Sequence, residues 1–206
     1  MSRRRDRIFE LVQRLGEDAA LEHPEGFLVV SPLRVCPLGA HVDHQGGVVT
    51  GMTIDREVLL AVAPDSKPVI SVASLDFPGE VEVRLGDPVP PRVGDWGDYL
   101  RAAVAVLSSQ YRLHTGFRAA IGGDLPGAGL SSSAAVLVAY LLALSKINEI
   151  DISREEIADL VQRAENEYVG VASGRLDQSM ILFAERAHLT RVDCSDLSIE
   201  QVPHPP

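Results

Sequence analysis

Two cysteines, Cys36 and Cys194, are too few for a disulfide framework, and Cys36 sits in an apolar context beside Val35 and Pro37. Long apolar runs are missing as well. The longest, Ala134 to Leu144, falls well short of the about 20 residues a helix needs to cross a bilayer. The amino terminus, MSRRRDRIFELVQRL, lacks the uninterrupted apolar core of a signal peptide, and its acidic residues argue against a transit peptide. These absences predict a soluble, cytoplasmic protein with no membrane partner. Basic charge is also in short supply: 19 Lys and Arg against 29 Asp and Glu leave a net charge of −10. Broad nucleic-acid binding through phosphates is thereby excluded, and an anionic substrate would need local positive charge or a metal.

What is there is ordinary globular material, 46% hydrophobic and 23% charged, in a chain long enough to bury roughly 70% of its unfolded surface. No internal repeat or low-complexity tract interrupts it. Ile8, Leu11, Val12 and Leu15 recur at helical spacing, predicting an amphipathic helix over residues 3 to 18 whose arginines form a solvated face. GFLVVSPLRV, VLLAVAPD, VISVASL and VEVRL read as strands, a helix begins near Asp95, and GFRAAIGG is a further strand. A helix over Ser132 to Ile147 follows, then one opened by the capping box of Ser153 and Glu156, a short helix over Gln178 to Phe183, and a last strand, AHLTRVDC. Strands first and helices later predict a two-layer α+β fold on a mostly antiparallel sheet, with residues 1–25 as helix and lead-in and 26–206 as the domain proper.

Three stretches carry chemistry. In DLPGAGLSSSAA, Gly127 and Gly129 let the backbone approach a ligand closely, while Ser131, Ser132 and Ser133 open a helix whose first N–H groups lack partners, which together favour an anion such as phosphate. No Lys follows the glycines, so this is not a Walker A loop, and Ser132 stands where a dinucleotide fingerprint needs its third glycine. A glycine-rich turn with a serine cap is the plainer reading. In SPLRVCPLGAHVDHQGG, a strand runs into a loop crowded with Arg34, His41, Asp43 and His44. Those residues suit either a three-ligand metal site or the recognition of neighbouring sugar hydroxyls. In AENEYVGVASGRLDQ, Glu165 lies late on a helix and Asp177 follows a glycine-containing turn, a place from which a carboxylate can take a hydroxyl proton.

Taken together and in this order, the three stretches resemble the GHMP small-molecule kinases. PGAGLSSSAA is similar to their phosphate-binding motif, RVCPLGAHVDHQGG to the sugar-binding signature of galactokinases, and AENEYVGVASGRLDQ to the catalytic-aspartate segment. The resemblance spans about residues 28 to 194. It implies a lobe like domain 2 of ribosomal protein S5 and an ATP-dependent sugar-1-kinase. Asp177 would be the catalytic carboxylate and Arg34 its neighbour. Pro126, Gly127, Ala128, Gly129, Leu130, Ser131, Ser132 and Ser133 would wrap the nucleotide phosphates, with Ser133 and Glu165 holding Mg²⁺. Ala40, His41, Asp43 and Gly174 would line the sugar site. Galactokinases carry Glu before their His and Tyr after their Asp, where this chain has Ala40 and His44, and that variant resembles the galacturonate-kinase branch. Arg175 replaces a usually apolar residue and is expected to point into water rather than meet an acidic sugar. Nothing after Asp196 resembles the family's second lobe, so the chain is expected to be an N-terminal lobe, with a separate C-terminal lobe as a partner. A non-catalytic module that binds sugar or nucleotide is the alternative from another class.

Overall fold

The run VLLAVA at 58–63 organises the molecule. A strand turns successive side chains to opposite faces, so six apolar residues in a row demand cover on both. In the computed structural model, which describes residues 2–16, 26–124 and 132–203, this run lies in β2 (Val48–Asp65). Val58, Leu60 and Val62 enter the main core, whereas Leu59, Ala61 and Ala63 meet Leu11 and Leu15 of α1 (Ser2–Leu15) on the other face. The other strands are β1 (Phe27–Leu38), β3 (Val69–Ser74), β4 (Glu80–Arg84), β5 (Gly116–Gly123), β6 (His188–Asp193) and β7 (Ser198–Pro203). They form a seven-stranded sheet in the order β4-β3-β5-β2-β6-β7, and β1 runs along the opposite edge of β2. All pairs are antiparallel except β3 with β5. The mixed α+β architecture with a mostly antiparallel sheet is thus the one expected, with α1 as added cover on the far face.

Four helices, α2 (Asp98–Ser108), α3 (Ser132–Ile147), α4 (Arg154–Arg163) and α5 (Leu176–Phe183), complete the main layer. α3 is its centre. Leu137, Val138, Ala139, Tyr140 and Leu141 are all buried, so the helix is apolar all round and each leucine contributes about 1.5–3 kcal/mol by leaving water. Ser153 caps α4 by accepting the Glu156 N–H at 3.1 Å, as its spacing predicts. No helix among the described residues is long and apolar enough to cross a membrane.

Several local expectations need correction. α2 starts at Asp98 rather than near Asp95, because Asp95 spends its side chain accepting the Gly97 N–H and Asp98 accepts those of Val93 and Gly94, which folds DWGD into a turn first. β2 extends back to Val48, ten residues before the apolar run, and β7 pairs with β6 although Ile199 and Val202 stay exposed. β7 is held by backbone pairing that leaves little trace in hydropathy, whereas the start of β2 also buries Val49 against Leu176, Met180 and Val192, contacts that only the fold supplies. α1 ends at Leu15, and residues 17–18 of its expected span lie outside the described residues. Arg3, Arg4, Arg5 and Arg14 are exposed, as expected, with Arg3 paired to Asp124 at 3.2 Å and Arg4 to Glu57 at 2.7 Å; Arg7 departs from that face and pairs with Asp76 at 2.6 Å, partly buried.

Candidate active site

Arg34 reaches the site from β1, beside an irregularity in the β1–β2 register between Pro32 and Arg34, a break of the kind that re-aims side chains in a strand. Asp177 sits in the first turn of α5, where the helix dipole favours a carboxylate. The two meet: Arg34 Nε donates to Asp177 Oδ1 at 2.7 Å and Nη2 lies 2.5 Å from the same oxygen, with side chains only 14% and 23% exposed. The pair is shielded from solvent screening yet still reachable.

The loop after β1 is docked against the same helix. Asp43 Oδ2 accepts the Leu176 N–H at 3.3 Å, and a Cβ at Gly174 would collide with the Asp43 carboxyl group and the His44 nitrogen. Glycine is therefore required at 174 so that Asp43 can seat the start of α5 and, with it, Asp177. Gly174→Ala is expected to cost about 1–3 kcal/mol of stability, the usual range for overpacking, and to displace Asp177; thermal unfolding of the variant checks the first part. Ala40 and His41 stand exposed on the rim of this loop. His44 Nδ1 lies 3.8 Å from Asp43 Oδ1, but among the described residues no three His, Cys, Asp or Glu side chains converge as metal ligands, which goes against the metal-centre reading of His41, Asp43 and His44.

A second pair lies on the helical side. Ser133, in the first turn of α3, donates to Glu165 Oε1 at 3.0 Å. After Arg163 the chain widens into a π-helical turn, Ala164–Val169, that carries Glu165 at 3% exposure. Nothing in the sequence announces this widening. Burial raises the Glu165 carboxyl above the ordinary carboxylate range; the Ser173 and Ser133 hydroxyls and Arg34 oppose the rise, while Asp177 adds to it. The two pairs therefore feel each other's charge. Among the described residues, Glu165 Oε2 is buried with no hydrogen-bond partner. An orphaned carboxylate oxygen beside a serine hydroxyl is a hard-oxygen donor set that fits Mg²⁺, which commonly takes one or two protein oxygens and fills its other positions with water and phosphate. Pro126, Gly127, Ala128, Gly129, Leu130 and Ser131 lie outside the described residues.

Sequence reasoning missed a cavity of about 490 Å³ next to Ser132 and Ser133. Phe77, Trp96, Tyr99 and Tyr140 help to line it, four of the ten aromatic residues in the chain. They come from separate stretches that only the fold brings together; the scarcity of aromatics was the one available hint. Arg175 also departs from expectation. It forms an ion pair with Asp159 on α4 with its side chain 18% exposed, so it does not point freely into water, and burial lowers its pKa.

Comparison with known proteins places these features. Residues 98–185 match the GHMP kinases N-terminal domain, and residues 18–64 match the galactokinase galactose-binding signature. The galacturonokinase of Arabidopsis thaliana is 41% identical over 197 residues, covering 86% of this chain and 46% of that protein. A galactokinase of Roseiflexus sp. is 36% identical, covering 96% of this chain and 50% of that protein. The crystal structure of Lactococcus lactis galactokinase complexed with galactose superimposes with a TM-score of 0.85 at 30% identity, covering 93% of this chain and 51% of that one. The Methanococcus jannaschii mevalonate kinase, at 22% identity and a TM-score of 0.71, shares the fold. The chain spans about half the length of the curated relatives it matches. With both matched regions and this fold beneath them, the chain carries a GHMP-kinase N-terminal domain together with a galactokinase-type galactose-binding signature.

Proposed function

We propose that this chain forms the ATP- and sugar-binding half of a sugar-1-kinase, and that the sugar is D-galacturonate. The observation that carries the reading is the shielded Arg34–Asp177 pair beside the buried Ser133–Glu165 pair: one carboxylate placed to take a proton, one placed to hold a cation. Phosphoryl transfer asks the protein for positioning and charge stabilisation more than for covalent chemistry. Asp177 takes the proton of the anomeric hydroxyl as its oxygen bonds to the γ-phosphorus and the bond to the β–γ bridging oxygen breaks, releasing ADP. Arg34 orients Asp177 and offsets the negative charge that builds on the transferring group. Asp43 and His41 bind sugar hydroxyls, and the amides of the glycine-rich segment with Ser132 cradle the phosphates. Glu165 and Ser133 would hold Mg²⁺, which would neutralise charge on the nucleotide phosphates. The aromatic cavity lined by Phe77, Trp96 and Tyr99 suits the nucleobase, which stacks on flat apolar surface. A lobe completing the whole enzyme would close the site against water.

The choice of galacturonate over galactose rests on Ala40. A Glu there would face the sugar carboxylate, and two like charges about 4 Å apart repel by up to roughly 4 kcal/mol at an effective dielectric near 20. Ala40 is exposed, so solvent lowers that figure. In the full-length enzyme, Ala40→Glu is expected to shift the ratio of kcat/KM for galacturonate over galactose by about tenfold or more toward galactose. ADP release measured with each sugar tests both parts of the reading: no ADP with either sugar rejects the kinase, and a ratio unmoved by the substitution rejects Ala40 as the determinant.

A further inference from the structure

We infer that α1 is a positioning element for nucleotide binding, and that Arg7 acts through Asp76 and Gly123 to fix the wall of the aromatic cavity; this rests on the nucleotide reading above. α1 lies outside both matched regions, which begin at residues 18 and 98. Its apolar anchoring is thin. Leu11 and Leu15 enter a small cluster with Leu59, Ala61, Ala63 and Ala120, while Phe9 is 61% exposed.

The polar contacts are more specific than that anchoring. Arg7 Nη2 donates both to Asp76 Oδ1 and to the Gly123 carbonyl, and Asp76 Oδ2 accepts the Gly123 N–H at 2.7 Å. One ion pair thus satisfies both backbone groups of the last residue of β5. The Arg7 guanidinium also lies close over Gly122, where a Cβ would sit 3.4 Å from Arg7 Nε and 3.1 Å from Leu75 Cδ1. Gly122, Gly123 and Asp124 at the end of β5 and Asp76 and Phe77 after β3 all line the cavity, the N–H groups of the latter two held by Ser74 Oγ at 3.0 and 3.2 Å. The Arg7–Asp76 pair therefore ties two chain segments that line the cavity, the end of β5 and the turn after β3, to one helix. Its side chains are 24% and 17% exposed, whereas Arg3 and Arg4 are 62% and 54% exposed in their own pairs. Exposed pairs contribute little, so Arg7 is the member expected to matter. A wall held in place before the ligand arrives spares the ordering cost that binding would otherwise meet.

Trp96 lines the cavity and is the only tryptophan in the chain, so its fluorescence reports Mg-ATP binding directly. Titrations compare the parent with Arg7→Ala, Arg7→Lys and Asp76→Asn, while calorimetry follows galacturonate. Arg7→Ala and Asp76→Asn are expected to raise Kd for Mg-ATP about tenfold, equivalent to about 1.4 kcal/mol. Arg7→Lys, which keeps the charge but not the forked geometry, should fall between them and the parent. Galacturonate affinity should change by less than about twofold, a split that general loosening would not give. A Kd within about twofold of the parent in Arg7→Ala, or an equal loss of both ligands, overturns the role of Arg7. Where circular dichroism shows Arg7→Ala unfolded, the near-isosteric Asp76→Asn decides by the same criteria. A parent that does not bind Mg-ATP overturns the nucleotide reading itself, which is a different result from a parent that binds and a variant that binds equally well.

Discussion

Replacing Asp177 by Asn in the full-length enzyme is expected to lower kcat for sugar phosphorylation by about 10² to 10⁴-fold, the range typical of a positioned general base. The amide keeps the shape of the carboxyl group and a carbonyl oxygen that can still accept from Arg34, so α5 and its contacts with Asp43 should remain. What disappears is the proton acceptor and the negative partner of a guanidinium that is only 14% exposed. That second loss gives the experiment an internal control: the variant should lose some stability, on the order of 1–3 kcal/mol for a charged group left without its partner, while still binding Mg-ATP. Single-turnover kinetics with saturating sugar measure the chemical step alone. Near-normal turnover would remove Asp177 from the mechanism and leave the Arg34 pair as a structural lock on α5.

The parts of this site that could be read from sequence were those encoded locally. α3 was legible to the residue because an unbroken apolar run follows three serines, and the Ser153 cap because its partner lies three positions on. Asp177 and Arg34 are singled out by the motifs around them, and the fold brings the two side chains into contact although 143 positions separate them and no local rule pairs them. The seating of Asp43 against Gly174 is likewise a tertiary fact, since the glycine is explained only by the carboxyl group that fills its Cβ position. Contacts that local sequence does not announce join partners that are distant and individually ordinary. Arg7 resembled any solvated arginine of an amphipathic helix until β3 and β5 delivered Asp76 and Gly123 beneath it, and Arg175 resembled a surface cation until α4 supplied Asp159. The start of β2 escaped because its buried positions, Val49 and Gly51, are too few and too mixed with polar neighbours to read as a strand, although Val49 packs with Leu176, Met180 and Val192; β7 escaped because pairing with β6 holds it without a buried face.

Glu165→Gln is expected to divide stability from function in a pH-dependent way. Burial raises the Glu165 pKa in the folded chain. Between the ordinary carboxyl value and that raised value, the folded state therefore binds a proton that the unfolded state has released. Stability of the ligand-free chain accordingly falls as pH rises through that window and stays at the lower level above it. Below the window Glu165 is neutral in both states and contributes no slope. Gln removes the buried charge, while its amide leaves an unpaired donor where Oε2 left an unpaired acceptor, so the hydrogen-bond balance changes little. The free variant should thus unfold at a higher temperature than the parent near pH 7, with the difference vanishing below the ordinary carboxyl range. With Mg²⁺ and ATP the order reverses: at a ligand concentration of about 100 Kd the parent gains about 2.7 kcal/mol, and the variant, deprived of a cation ligand, gains much less. Its phosphoryl transfer should drop by about 10²-fold. Thermal unfolding at several pH values, with and without Mg-ATP, reads both effects in one series. A variant that is stabilised by Mg-ATP as strongly as the parent would mean that Glu165 is buried for packing and that the cation is held elsewhere.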